Sequence, residues 1–303
     1  MDLKKYIIEQ YYSDSERIYN YSMHQNDKVI KSIDVLRNYI SDNIEDIRIT
    51  KEHCVVMLSD KRKYLLEKSN SLDMLVLKGG QSKEYEYVLR KLIRPGFHVV
   101  EAGACWGYHT VLLSKLVKKE GKISAFEPQS RAYEIAVKNL KINKCDNVQL
   151  YPFALSSENG EMTLNILEDR LFFASLGENF SDDYRRQACV VHRLDDFIQE
   201  RIDAIKIDIE GAECLFLDGA QRSIKENQPI VIMEIFSLGL EAHHHSIDMI
   251  REKLRGYMPF IAKDYALQPV KSLESLICDD VIWLTAEHIN KYKHIINSNG
   301  GRL

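Results

Sequence analysis

Apolar positions along the chain change their period near residue 97. Before it, Val29, Ile30, Ile33, Leu36 and Ile40 recur at helical spacing, and 6–21 is a polar, tyrosine-rich stretch that also reads as helix. Residues 47–58 alternate in part around Val55, Val56 and Met57, as a strand or hairpin does. Tyr85, Val88, Leu89 and Leu92 share one face of a helix over 84–93, which Arg94-Pro95-Gly96 ends. The pattern predicts a mainly helical N-terminal cap with a short β element over 1–94, whose faces either help form a substrate site or serve structure alone.

From Phe97 onward, short apolar runs alternate with helical patterns. Strands are predicted at 97–102, 123–126, 148–155, 202–209 and 229–235, with later ones at 258–262 and 281–284. Helices are predicted between them at 107–119, 130–140, about 213–224 and 246–254. Buried strands separated by helices imply a mostly parallel sheet covered on both faces, here spanning 95–290. Residues 156–200 interrupt the alternation with two strand candidates, 162–167 and 188–194, around Phe172, Phe173, Phe180 and Tyr184. Such an insertion either contributes substrate contacts or packs its aromatics back as a surface excursion. Residues 291–303 form a tail, expected to fray at its end.

Composition narrows this picture modestly. With 41 Lys and Arg against 45 Asp and Glu, the 303-residue chain carries a formal net charge of -4, which argues against a large nucleic-acid footprint. No apolar run approaches the roughly 20 residues that span a bilayer, and the start, MDLKKYIIEQ, has no signal-peptide pattern. No membrane association is expected. The cysteines (54, 105, 145, 189, 214 and 278) form no CxxC pair and read as free thiols, so the cytoplasm is the expected compartment.

The chemistry lies at predicted strand ends. FHVVEAGACWG (97–107) places an acid and two glycines where the first strand meets its helix. Glycine permits a tight turn and close backbone approach, and a helix N-terminus offers free N–H groups to an anion. The turn reads GACWG and lacks the middle glycine of a dinucleotide fingerprint, which disfavours a nicotinamide or flavin cofactor. Glu127, directly after the second strand, suits hydrogen bonds from both ribose hydroxyls of a nucleoside. Glu101 either supports the turn or contacts the cofactor. In KIDIEGAE (206–213), Asp208 and Glu210 gather charge that needs solvent, a cation or a charged ligand. They can bind an ammonium group, orient a substrate hydroxyl or hold a divalent metal, while Glu213 suits the first turn of the next helix. Glu234 ends the apolar run PIVIMEIF and faces the same cleft if its strand neighbours that of Asp208.

Together these segments resemble the FkbM family of S-adenosylmethionine-dependent methyltransferases. The likeness is carried by VVEAGACWGYHTVLLS (99–114), KISAFEPQ (122–129), NLKIN (139–143), FALS (153–156), IDAIKIDIEGAE (202–213) and PIVIMEIF (229–236). It implies a Rossmann-like class I methyltransferase fold with a mostly parallel seven-stranded sheet and one antiparallel edge strand. It also implies that Glu101, Gly103, Ala104, Gly107, Glu127, Pro128 and Asp208 bind S-adenosylmethionine, with Glu127 on the ribose. Asp208, Glu210 and Glu234 are the catalytic candidates, and His192 and the run His243-His244-His245 are alternative bases. A divalent cation, if used, would fall to Asp208 and Glu234. Family members methylate hydroxyls of sugars, glycans or polyketide-type products, so the expected partner is a small molecule or glycan. A nucleic-acid methyltransferase, a nicotinamide enzyme and a non-catalytic domain keeping the fold are the competing readings. Two positions depart from the family pattern: Glu101 stands where aspartate is frequent, and Cys105 where asparagine is common.

Overall fold

The computed structural model describes residues 43–49, 54–66, 83–167, 174–176, 184–273, 276 and 278–297. The helices expected at 6–21 and 29–40, and the aromatics Phe172, Phe173 and Phe180, lie outside them. The described part of the N-terminal region is a three-stranded antiparallel meander, β1 (Ile44–Ile49), β2 (Cys54–Leu58) and β3 (Lys63–Leu66), followed by helix α1 (Lys83–Leu92).

Charged and polar side chains fasten the meander to the main domain. Arg62, 3% exposed, pairs with Glu86 of α1 at 2.6 Å and with Asp60 at 2.8 Å. The Tyr108 hydroxyl donates to the same Glu86. Asn139 and Asn143 accept backbone N–H groups of Leu65 and Lys63. Buried, multiply bonded charges of this kind hold one relative placement of the elements they join.

Beyond α1 the chain alternates as its apolar pattern dictates. Strand β4 (His98–Ala102) leads to α2 (Tyr108–Val117), β5 (Lys122–Phe126) to α3 (Ser130–Asn143), and then β6 (Val148–Tyr151). After the insertion come a short helix α4 (Leu194–Phe197), β11 (Ala204–Ile207), α5 (Glu213–Gly219) and α6 (Gln221–Asn227). The chain continues through β12 (Ile230–Phe236), α7 (Ser237–Ala242), α8 (Ile247–Lys253), a hairpin of β13 (Tyr257–Lys263) and β14 (Ala266–Pro269), β15 (Cys278–Thr285) and α9 (Ala286–Lys291).

The main sheet has the order β14-β13-β15-β12-β11-β4-β5-β6, with β12, β11, β4, β5 and β6 parallel. The order reverses between β4 and β11, the switch point where doubly wound sheets bind ligands. This is the Rossmann-like arrangement expected, with two corrections. The sheet has eight strands, and the antiparallel β15 lies inside it between β12 and β13. The edge belongs to β14, which reverses from β13 through Asp264 and Tyr265, both at positive φ (52° and 57°). Two successive left-handed residues make the tight hairpin turn whose twist matches its strands.

The strand expected over 148–155 is also two. It breaks after Tyr151, and β7 (Ala154–Leu155) joins a separate four-stranded sheet, β7-β10-β8-β9, with β8 (Gly160–Leu167), β9 (Ala174–Leu176) and β10 (Tyr184–His192). The tail begins later than residue 291. Tyr292 is fully buried, donates its hydroxyl to the Leu92 carbonyl at 3.0 Å, and packs in the core with Ile295.

Two apolar layers cover the sheet. Val100, Ile205, Ile207, Val231, Met233, Val281 and Trp283 face one. Val99, Ala204, Ile230, Ile232, Ile282 and Leu284 face the other, under α1 and α2. Side chains alternate along a strand, so Glu101, Lys206, Glu234 and Asp280 continue the second face toward the carboxyl edge. Register places Lys206 opposite Glu101, and Glu234 opposite Asp280. One sheet face is therefore apolar at its base and polar at its top.

Candidate active site

The turn after β4 is built from left-handed residues: Gly103 at φ 85°, Cys105 at 50° and Gly107 at 86°. Gly103 and Ala104 both donate their N–H to the Phe126 carbonyl at 3.0 Å, tying the turn to the end of β5. A Cβ on Gly103 would stand 1.9 Å from the Asp208 carbonyl oxygen, so the turn rests directly on the end of β11. Gly107 then caps α2.

Glu127 closes this cradle. Its Oε2 accepts the Cys105 N–H at 2.7 Å, and its Oε1 accepts the Gln129 N–H at 2.8 Å. Burial pushes its carboxyl up to about 7, against the pull of those two hydrogen bonds. Each carboxylate oxygen keeps a further lone pair, enough for two ribose hydroxyls. Pro128 follows and gives its carbonyl to Gln187 of the inserted sheet at 2.9 Å.

Glu101 is fully buried, and neither carboxyl oxygen has a partner at full hydrogen-bond geometry among the described residues. Burial raises it to about 7, while Lys206 and the nearby Thr110 hydroxyl oppose the rise. A buried polar group left short of partners calls for one, and a polar group of a bound cofactor is one that could serve. These residues therefore fit S-adenosylmethionine.

Beside the turn lies a dense group of acids around one cation. Lys206, 1% exposed, donates from Nζ to Asp208 Oδ2 at 2.9 Å. Burial favours its neutral form, but the fields of Asp208, Glu101 and Asp280 outweigh that and keep it charged. Asp208 in turn is partly desolvated, which opposes ionisation, yet Lys206 and a hydrogen bond with Glu234 hold it below the usual range. Glu234 is raised, first by the Asp208 charge and then by burial. The two carboxyls thus titrate as a pair, with ionisation favoured at Asp208 and proton binding at Glu234.

Glu210 occupies a left-handed bend at φ 56°, and burial, Asp208 and Glu213 push it up to about 8. One carboxylate oxygen from each of Asp208, Glu210 and Glu234 lies within 4.8 Å of the others, a spacing that can hold a divalent cation. Two cation ligands, Asp208 and Glu234, were expected; Glu210 joins them. Glu213 turns instead to the Gly211 N–H at 3.0 Å and supports the bend.

The structure thus gathers Glu101, Gly103, Ala104, Gly107, Glu127 and Pro128 on one side of the switch point, and Asp208, Glu210 and Glu234 on the other. His192 does not join them: it contacts Asn159 at 3.3 Å on the inserted sheet and stacks on Phe197. Four further residues belong to the site. Lys206 stands two positions before Asp208, and strand alternation already puts both on one face. Asp280 is raised by burial to about 6. Tyr85 of α1 stands close enough to Asp280 for that acid's field to add to burial in raising its phenol. His109 of α2 is held neutral by burial and by Lys206. The acid pair Asp279-Asp280 ahead of an apolar strand was the available signal for Asp280; nothing local marked Tyr85 or His109.

A family model described as the methyltransferase FkbM domain matches residues 101–258, just over half of the chain. Among solved structures, the chain is similar to methyltransferase FkbM from Methylobacillus flagellatus KT, at 17% identity over 65% of this chain and 50% of that one, TM-score 0.41. The match thus spans half the length of that protein. A SAM-dependent O-methyltransferase from Thermotoga maritima matches at 14% identity over 79% of this chain and 85% of that one, TM-score 0.40. A Streptococcus mutans protein described as a methyltransferase in complex with SAH matches at 14% over 65% and 94%, TM-score 0.39. No curated protein sequence matches the chain. Among the described residues, no helix is long and apolar enough to cross a membrane.

Proposed function

This chain belongs to the FkbM methyltransferase family, and from that premise we propose that it methylates a hydroxyl of a sugar, glycan or polyketide-like small molecule. The observation that carries the acceptor class is the meeting of Asp208, Glu210 and Glu234 beside the glycine turn. Three neighbouring carboxyls present several acceptor oxygens, which suit a neutral polyol whose hydroxyls donate to them and find no donor on a phosphate backbone. That favours a small-molecule or glycan partner over nucleic acid.

S-adenosylmethionine, when bound, supplies an electrophilic methyl group. The chain's own residues position the reactants and manage a proton. Glu127 and the turn N–H groups fix the nucleoside end, and Glu101 receives a polar group at the base of the turn. Lys206 keeps Asp208 ionised and in place. Glu234, raised by its pairing with Asp208, directs its proton to that partner and keeps acceptor capacity that can take a hydrogen bond from the acceptor hydroxyl. Glu210, pushed up to about 8, takes the hydroxyl proton as the oxygen attacks. A base whose pKa lies near the working pH is the best matched to that task. Orientation accounts for most of the acceleration, since in-line attack demands a fixed geometry.

A divalent cation is a second reading, favoured by the same three carboxylates. It would replace the proton bound by the Asp208–Glu234 pair and polarise the acceptor oxygen. Turnover unchanged after exhaustive chelation excludes it. The free thiols, four of the five described being buried, support work in the cytoplasm.

The test is calorimetry with S-adenosylhomocysteine and with NAD, followed by transfer of labelled methyl to a panel of glycans, polyols and RNA. Binding of S-adenosylhomocysteine alone, with label in a polyol or glycan, is expected. Label entering RNA overturns the acceptor class, and no binding of S-adenosylhomocysteine supports a non-catalytic domain.

A further inference from the structure

Three elements converge on the main chain of Glu210. Its φ of 56° is left-handed, a conformation unfavourable to an L-residue, so something must hold it. Gly211 follows at φ 108°. Helix α7 closes over this bend: a Cβ on Gly211 would lie 2.3 Å from the Gly239 carbonyl oxygen, and one on Gly239 would lie 2.9 Å from the Glu210 carbonyl oxygen. Only glycine at both positions allows that approach.

From the other side, β9 of the inserted sheet presents Ser175, 1% exposed. Its Oγ donates to the Glu210 carbonyl at 2.8 Å and lies 2.9 Å from His243 Nε2, at the end of α7. Burial lowers His243 to about 4, so at neutral pH the ring carries one N–H. Ser175 has spent its single proton on the carbonyl and must accept from His243. That fixes the Nε2–H tautomer and gives a directed chain from His243 through Ser175 to Glu210. The carbonyl and the side chain leave the same residue, so fixing one orients the other.

We propose that Ser175 and His243 are positioning residues of the methyl-transfer site, a clamp by which the inserted sheet and α7 aim the Glu210 carboxylate at Asp208 and Glu234. The clamp rests on the reading of those three acids as the reaction site. It gives the insertion a role in the chemistry besides any contact with the acceptor. Of the three histidines, His243 makes the clamp, while His245 stacks on the His243 ring at a centroid distance of 5.7 Å and contacts the Gly211 carbonyl at 3.5 Å.

The experiment compares the full-length protein with Ser175→Ala, Ser175→Thr, His243→Gln and His243→Leu. Amide hydrogen exchange is read at Gly211 and Ala212, and the ring nitrogens of His243 by nitrogen-15 resonance. Ser175→Ala and His243→Leu are expected to speed exchange at Gly211 and Ala212 about tenfold while the β4 and β11 amides keep their protection. Ser175→Ala also shifts the His243 signal away from a hydrogen-bonded Nε2–H. Ser175→Thr keeps the hydroxyl and His243→Gln keeps a donor, so both restore protection. On any acceptor that is methylated, Ser175→Ala lowers kcat with the KM for S-adenosylmethionine unchanged. Unchanged exchange and an unshifted His243 signal in Ser175→Ala overturn the clamp. So does loosening of all strands together, which marks Ser175 as ordinary packing. S-adenosylhomocysteine binding by the wild type is measured in parallel: its absence with the His243 signature intact sinks the methyltransferase reading, and with it the role in methyl transfer, while the hold of Ser175 on Glu210 remains as structure.

Discussion

Cys105 departs from the resembled family's pattern at the centre of the proposed cofactor turn, and its one hydrogen bond to Glu127 does not depend on the side chain. Its bond to Glu127 comes from the main-chain N–H at 2.7 Å, which any residue but proline supplies. Burial holds the thiol well above its ordinary range, so it stays neutral and unreactive. The side chain packs against the cluster of Trp106 and Tyr108 and adds strain, since φ at this residue is 50°. Cys105→Gly removes about 1–2 kcal/mol of left-handed cost, but adds about 0.5–1 kcal/mol of chain entropy and loses that packing. A Tm close to that of the parent and unchanged affinity for S-adenosylhomocysteine are expected. Glu127→Gln is the contrasting case. It keeps the shape but removes the charge and one acceptor, and a charged hydrogen bond is worth about 1.5–3 kcal/mol. Titration calorimetry is expected to show a loss of affinity of about ten- to a hundredfold. Equal affinity in this variant would remove Glu127 from the ribose.

The two glycines of the turn look equivalent in the chain and are not equivalent in the fold. At Gly107 an added Cβ meets Ala136 at 3.5 Å, an ordinary contact, so Gly107→Ala costs only the left-handed strain of about 1–2 kcal/mol. At Gly103 the same methyl collides with the Asp208 carbonyl at 1.9 Å, and either the turn or β11 must move. Urea unfolding is expected to show Gly103→Ala losing about 1–3 kcal/mol more than Gly107→Ala, and losing S-adenosylhomocysteine binding with it. Similar costs in both would mean that the turn does not bear on β11. Spacing could place both glycines after β4 but could not say which one touches β11, because that contact depends on strand order. The same limit explains the other misreadings. Tight hairpin turns are announced by Asn-Gly or Asp-Gly, and Asp264-Tyr265 carries no such signal, so β14 was invisible. The apolar run 148–155 looked continuous because alternation does not reveal that a strand changes sheets at Pro152. Where burial alone decides, as in β4, β5, β11 and β12, the chain's pattern was sufficient.

Across the whole molecule, acids drawn from four strands and a bend meet under two helices, around Lys206. Alternation told which face each acid takes within its own strand; only the register across β4, β11, β12 and β15 shows that the faces coincide. The consequence is a pH dependence with a definite sign. Burial raises Glu101, Glu127 and Glu213 to about 7, Glu210 to about 8 and Asp280 to about 6, from 4.5 for the glutamates and 3.8 for the aspartate. A carboxyl raised on folding binds its proton more tightly in the native state. Its protonated form therefore favours the fold at low pH, and that advantage is lost as pH climbs from the unfolded value through the folded one. Asp208, held low, is ionised in both states across this window, and Lys206, held high, is protonated in both, so neither changes the slope. The Tm of the ligand-free protein is expected to fall as pH rises from about 6 to 9. The double variant Glu101→Gln with Glu213→Gln flattens that slope, because two of the titrating groups become neutral. Excess S-adenosylmethionine, whose sulfonium and ammonium charges compensate the exposed anions, recovers more Tm at the alkaline end than at the acid end. A Tm that stays level or rises over this range, measured by scanning calorimetry without ligand, would mean that water or counter-ions already solvate these acids.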